Sequence, residues 1–264
     1  MINTKFFPSL YEFIGDPIIY RTSDEWGDIL VIRDRHYRQL GFGSPNEQSR
    51  MDVKNPHILV HKYTRAMMIV LAFIKPQHVT ILGLGGGCLL RSMYYVMPTC
   101  ELHVIELRQR VYDVASTFFG LPVNDNITIT IDDAKEQLKN TCKNSTNVIF
   151  SDMYGSENMN SYQLEIDFLN QCYRILSIDG WLVINHLEIS NYNTPFFDYL
   201  CDLFSSVFIC NIPDGNTIIF ACKSRIGELN QFSCAVAELE EKLEVRLTQK
   251  LKRMTRLMLC GNYR

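Results

Sequence analysis

From about residue 79 the chain alternates short apolar runs with helix-length segments, and this alternation constrains the fold more than any other feature. Residues 79–84, 101–107, 127–131, 147–151 and 181–186 read as strands. Helix candidates fall between or after them at 88–97, 108–119, 134–142, 161–176 and 195–205. Repeated strand–helix units predict a mostly parallel sheet with helices on both faces. Two last strands, near 206–211 and 216–223, are joined by the turn IPDGN and read as an antiparallel hairpin.

A parallel sheet ending in such a hairpin fits an α/β architecture of the methyltransferase-like Rossmann type, with seven strands, most of them parallel. Residues 18–42 add a small β-rich region around a WGD turn. A polar stretch follows, then a helix over 59–74 that Pro76 ends. The division expected is 1–76 as N-terminal β-rich region and linking helix, 77–226 as nucleoside-binding domain, and 227–264 as C-terminal helix. In the last segment Leu239, Leu243, Leu247, Leu251 and Met254 form one apolar stripe over 233–259. It either packs on its own domain or meets a second copy.

Composition excludes several classes. The net charge is −3 and no arm is strongly basic, which argues against a nucleic-acid partner. No apolar run is long enough to span a bilayer, so no membrane association is expected. The opening MINTKFFPSLYEF lacks the pattern of a secretory signal, and a soluble, cytoplasmic protein is expected. Nine cysteines without a CxxC pair read as buried, reduced thiols. Six histidines show no metal-ligand spacing, His57 and His61 being four apart without a third ligand.

In an open parallel sheet, ligands sit beyond the carboxyl ends of the strands, so the residues following each strand are the candidates. The first strand leads into Gly83-Leu84-Gly85-Gly86-Gly87, a turn that lets backbone approach a ligand. A dinucleotide fingerprint needs a third small residue where Cys88 stands, which disfavours NAD. The second strand ends at Glu106, suited to a ribose diol. The third is followed by Asp132-Asp133-Ala134, where a carboxylate reaches an adenine amine or caps the next helix. The fourth ends at Asp152, in the middle of the cleft. Each alone has a bland explanation; together they describe an adenosine pocket.

The runs VTILGLGGGCLLRS, VIEL, IDDAKEQL and NVIFSDMYGS resemble spermidine synthase and its aminopropyltransferase relatives over about residues 20–225. QSRMD, NPHILV and YTRAMM resemble segments of the divergent members. The resemblance implies S-adenosylmethionine or its decarboxylated form as ligand, methylthioadenosine as product, a small-molecule amine acceptor, no metal, and a homodimer. It assigns Glu106 to the ribose, Asp133 with the adjoining Ala134 to the adenine side, and Gly83, Gly85 and Gly87 to the turn beneath the methionine portion. Gln48 and Tyr63 carry over from the lid region, with Gln39 an alternative to Gln48, and Asp152 is the catalytic carboxylate.

The departures lie where amines should bind. The family's aspartate in the glycine turn aligns with Gly86, its second cleft aspartate with Gly155, and its His-Glu pair with Thr64-Arg65. A charge pair at 4 Å is worth on the order of 4 kcal/mol at an effective dielectric of 20. Losing half of one, ~2 kcal/mol, weakens a diamine about thirty-fold. Glu157 is a candidate substitute and SENMNSY a candidate lid; Arg65 and Arg91 either meet a ligand carboxylate or, the favoured reading, serve surface or structural pairing. Three readings compete: aminopropyl transfer assisted by Asp152, methyl transfer from intact S-adenosylmethionine, and a non-catalytic nucleoside-binding homologue.

Overall fold

Two sheets organise the chain. The computed structural model describes residues 17–43, 47–155, 159–187, 189, 191–213 and 215–257. An antiparallel meander opens it: β1 (Ile18–Asp24), β2 (Gly27–Arg33), β3 (Tyr37–Gly41) and β4 (Glu47–Asp52). Helix α1 (Lys62–Met67) continues as a 3-10 helix over Met68–Ala72. The helix expected over 59–74 is therefore shorter and tightens halfway. Met68–Val70 are fully buried, so packing on all sides, not helical periodicity, sets the conformation of this β-branched run.

The βα units follow in order. They are β5 (His78–Leu82), α2 (Cys88–Val96), β6 (Glu101–Glu106), α3 (Gln109–Phe118), β7 (Ile127–Ile131), α4 (Ala134–Asn140) and β8 (Thr146–Ser151). Then come α5 (Ile166–Ile175), β9 (Leu176–Leu187), α6 (Pro195–Leu203), β10 (Ser206–Ile212) and β11 (Asn216–Cys222). The helix expected over 161–176 is split by Glu165, whose extended backbone separates a 3-10 helix at Ser161–Leu164 from α5. The turn expected at 179–180 survives as a bulge within β9, where Thr146 faces Leu176 but Val148 already faces Trp181.

The tail is not one helix. It forms α7 (Ser233–Leu243), α8 (Thr248–Leu251) and a two-residue strand, β12 (Thr255–Arg256). Glu244 takes a left-handed conformation at φ +54° and ends α7. The Glu240 carboxylate stabilises the break by accepting the backbone N–H groups of Leu247 and Thr248. All five stripe residues are nonetheless buried against their own domain. The stripe is thus used within the chain and offers no face to a second copy.

Strand order in the large sheet is β12-β10-β11-β9-β8-β5-β6-β7, the expected seven strands plus the short β12. Pairings from β9 to β7 are parallel, and β11 and β10 return antiparallel. Alternation along each strand feeds two cores. Val148 and Phe150 face one with α2 and α7, while Ile149 faces the other with α4, α5 and α6. A third cluster joins Ile29, Val31, Leu40 and Met51 of the small sheet to Val111 and Val114 of α3. That packing sets the small sheet beside the carboxyl ends of β5 and β6. No helix among the described residues is long and apolar enough to cross a membrane.

Candidate active site

Strand order reverses at β5, which leads on one side to β6 and on the other to β8, and a crevice opens at such a switch. Gly83 leaves β5 at φ +93°, and a Cβ there would stand 2.4 Å from the backbone oxygen of Asp152. Only glycine fits. Across the same gap, Asp152 N–H donates to Leu82 O at 2.9 Å. A cavity of about 680 Å³ lies over this junction.

Gly83, Gly85, Glu106 and Asp152 line the cavity from the strand ends, and Asp133 and Ala134 from the start of α4. Gln48 and Tyr63 line it from the N-terminal side, whereas Gln39 does not. Gly87 is also absent from the lining. It begins α2 at φ +67°, a left-handed conformation that calls for glycine, and a Cβ there would also press on Leu121 Cδ2. Arg65 donates to Leu59 O, and Arg91 to Pro56 O and Phe119 O; both support backbone outside the cavity. His57 and His61 also diverge, the first stacking on Tyr95 and the second meeting Glu47.

Glu106 is 7 % exposed. Its Oε2 accepts Leu84 N–H at 2.8 Å and its Oε1 accepts Arg108 N–H at 2.9 Å. Burial pushes this carboxyl up, opposed by those backbone donors and the Arg108 charge. Gly85 is a further backbone donor to this carboxylate, and a ligand hydroxyl added beside these groups would favour the ionised form. Asp133 caps α4, accepting Lys135 N–H at 2.8 Å, while also lining the cavity.

Asp152 carries the central carboxylate. Its Oδ1 accepts from Asn185 Nδ2 at 2.8 Å, and its Oδ2 from the Tyr63 hydroxyl at 3.4 Å. Burial pushes Asp152 up, while the Asn185 donor, His61 and the Tyr63 hydroxyl oppose the shift. Tyr63 is itself pushed well above its usual range, by burial first and the Asp152 charge next, so it stays a donor. Asn185 is fixed in turn by Asn216 Nδ2, which donates to its side-chain oxygen at 3.0 Å. The end-of-strand rule missed Asn185 because β9 runs past it to Leu187.

The small sheet supplies a wall. Ser49 Oγ accepts Gly86 N–H at 2.8 Å, and a Cβ on Gly86 would meet Ser49 Cβ and Phe119 Cδ1 at 3.0 Å each. The place of the family aspartate is therefore filled from β4. We expect Gly86→Asp to destabilise by about 1–3 kcal/mol through overpacking. A Ser49→Gly background should recover part of that loss in urea unfolding, and equal losses in both backgrounds would deny the contact. Gly155 O accepts from Gln48 Nε2 at 3.3 Å. Glu157, and much of the candidate lid around it, lies outside the described residues.

Trp26, in the β1–β2 turn, also lines the cavity and is 44 % exposed. A buried ion pair holds this turn, with Arg108 reaching Asp24 through Nε at 3.0 Å and Nη2 at 2.7 Å. Sequence reasoning passed over Ser49, Glu47 and Trp26, although Glu47 and Ser49 flank the assigned Gln48. Among the described residues, five carboxylates line the cavity (Glu47, Glu106, Asp132, Asp133, Asp152), against the permanent cations Lys62 and Arg108. Such a cleft favours cationic ligands.

No family model matches the chain. A polyamine aminopropyltransferase of Chromobacterium violaceum is 30% identical over 179 residues, which cover 67% of this chain and 68% of that protein. One of Neisseria meningitidis is 29% identical over 209 residues, covering 77% and 79%. Solved structures share the fold. A protein described as a probable spermidine synthase from Corynebacterium glutamicum matches with a TM-score of 0.75 at 20% identity, over 85% of this chain and 88% of that one. A spermidine synthase in complex with the transition state analogue AdoDATO matches at 0.61 and 17% identity, over 86% and 88%.

Proposed function

The chain belongs to the polyamine aminopropyltransferase family, and from that membership we propose that its cleft binds decarboxylated S-adenosylmethionine and transfers the aminopropyl group to a small amine. The carrying observation is Asp152, oriented by Asn185 and Tyr63 at the switch point of a cleft lined by five carboxylates. The donor supplies an electrophilic carbon beside its sulfonium. Glu106 accepts the ribose hydroxyls, Asp133 and Ala134 border the adenine, and Gly83 and Gly85 give room for backbone contact. Asp152 accepts a hydrogen bond from the attacking amine, orients its lone pair and takes its proton. As the C–N bond forms, the C–S bond breaks, its electrons stay on sulfur, and methylthioadenosine leaves uncharged. Correct orientation alone contributes several kcal/mol to such a step. Residues 77–226 are the nucleoside-binding domain in this reading, and the described part of the N-terminal region, from Trp26 to Thr64, supplies its covering wall.

The test is methylthioadenosine release from decarboxylated S-adenosylmethionine across a panel of diamines and polyamines. Release with at least one acceptor is expected; none with any would leave a binding protein. A second reading, methyl transfer, is favoured by one observation: no carboxylate occupies the glycine turn at Gly86 to repel an intact methionine carboxylate. Calorimetric titration separates the two, because tighter binding of the intact form would make the methyl donor the working ligand.

Trp26 gives a direct binding readout. The protein has two tryptophans, and the other, Trp181, is 2 % exposed in the core. Methylthioadenosine is expected to change the emission of Trp26, and Trp26→Leu should abolish the response while Trp181 still emits. An undiminished response in the variant would place Trp26 away from the nucleoside.

A further inference from the structure

We propose that Glu47 supplies the carboxylate that grips the terminal ammonium of the donor's aminopropyl arm, in place of the side chain the glycine turn lacks at Gly86. This inference rests on the donor reading above and adds the residue that selects the decarboxylated form. Ser49 and Glu47 flank a bulge at Gln48 on β4, Ser49 pairing with Leu40 and Glu47 with Gly41, and both line the cavity. Ser49 fills the space beside Gly86 and accepts its N–H. The same strand therefore closes the turn to an aspartate and brings an acid of its own into the cavity, where Glu47 is part of the lining.

The other lining carboxylates are already engaged. Asp132, Asp133, Glu106 and Asp152 each accept from the protein at 2.7 to 2.9 Å. Glu47 instead faces the His61 ring at 3.2 Å from Nε2 and the Arg50 guanidinium at a looser 3.8 Å from Nε. Arg50 is held more closely by Asp34, at 2.6 Å, and His61 Nε2 is buried without a hydrogen-bond partner. A primary ammonium with three donors is better matched to that carboxylate than either neighbour. The field of Glu47 also reaches the start of α2. There Cys88, the residue that follows the glycine turn, is pushed up by burial first, opposed by the charge and hydrogen bond of Arg91, with the charges of Glu47 and Asp152 adding smaller upward pushes. Glu47 enters the cavity from the strand that packs on the glycine turn, and in the proposed reading Asp152 is left to the acceptor.

Calorimetry on the full chain with three probes tests this. Methylthioadenosine carries the nucleoside without the propylamine, decarboxylated S-adenosylmethionine adds the ammonium, and intact S-adenosylmethionine adds a carboxylate beside it. Glu47→Gln is expected to weaken the decarboxylated form about tenfold or more, since a charged hydrogen bond is lost. Methylthioadenosine should stay within about twofold by the same scale, and the preference over the intact form should shrink. Glu47→Asp, which keeps the charge on a shorter arm, should retain part of the preference. An equal loss for all three probes in both variants would make Glu47 a purely structural residue and overturn the proposal, as would an unchanged decarboxylated affinity. Wild-type protein that binds none of the three would remove the donor reading itself. Wild-type protein that binds methylthioadenosine but gains nothing from the ammonium would overturn Glu47 alone.

Discussion

Asp152→Asn is expected to lower methylthioadenosine release by about 10²–10⁴-fold, the usual contribution of a positioned proton acceptor, with nucleoside affinity unchanged. The substitution preserves shape, and an asparagine Oδ1 can still accept from Asn185, which now donates to the aspartate at 2.8 Å. What is lost is the charge and the capacity to take a proton. Burial already holds this carboxyl above the usual range, against the donors Asn185 and Tyr63 and the nearby His61. The acid limb of the free enzyme's rate profile should therefore lie above that of an ordinary aspartate. The sign for stability follows. A carboxyl with a higher pKa folded than unfolded binds more protons in the folded state, so stability falls as pH rises from its ordinary value through the raised one. At neutral pH the buried charge costs stability. A neutral asparagine removes that cost, so the variant should melt no lower than wild type. A variant that loses activity and melts well below wild type would point to a structural role instead.

The positions beyond β5, β6, β7 and β8 were legible because each depends on a local signal. An apolar run ends, and the next residue inherits a place on the rim of the crevice. Gly83, Glu106, Asp133 and Asp152 follow this rule and line one cavity. Gly87 shares the sequence signal of Gly83 but answers to a different neighbour, Leu121, which no local pattern announces. Asn185 was hidden for the opposite reason, as β9 continues past it and its side chain points into the cleft from within the strand.

The loss of an acid at Gly86 reads differently once β4 is in place. From sequence it is a missing side chain and suggests decay of amine recognition. In the fold it is one half of a contact whose other half, Ser49, lies 37 residues earlier. A pairing at that separation leaves no trace in periodicity or composition. The tail taught the same lesson. Its stripe correctly marked which residues are buried, yet the same leucines pack as two short helices because Glu240 caps a break that heptad-like spacing does not encode.

Arg108→Leu is expected to cost about 3–5 kcal/mol, because it leaves Asp24 as an unpaired charge in a buried site. Both side chains are only 7 % exposed. The guanidinium makes two bonds to Asp24, donates to Gly27 O at 3.0 Å and lies 4.6 Å over the Phe42 ring. A domain of ordinary stability, about 5–15 kcal/mol, would lose a large share of its margin. The double variant Asp24→Leu/Arg108→Leu should be distinctly more stable than Arg108→Leu alone, since no charge is then stranded, and urea unfolding of the four proteins measures that coupling. Strict additivity would show that the pair contributes nothing specific. The consequence reaches the ligand as well. Arg108 fastens the turn that carries Trp26 and stands two residues from Glu106, to which its own backbone N–H donates. The single variant should therefore bind methylthioadenosine more weakly and lose much of the Trp26 response, even where it remains folded. The small sheet is packed on α3 through its apolar cluster, and the Arg108–Asp24 pair adds the polar fastening at the carboxyl end of β6, where the proposed nucleoside site lies.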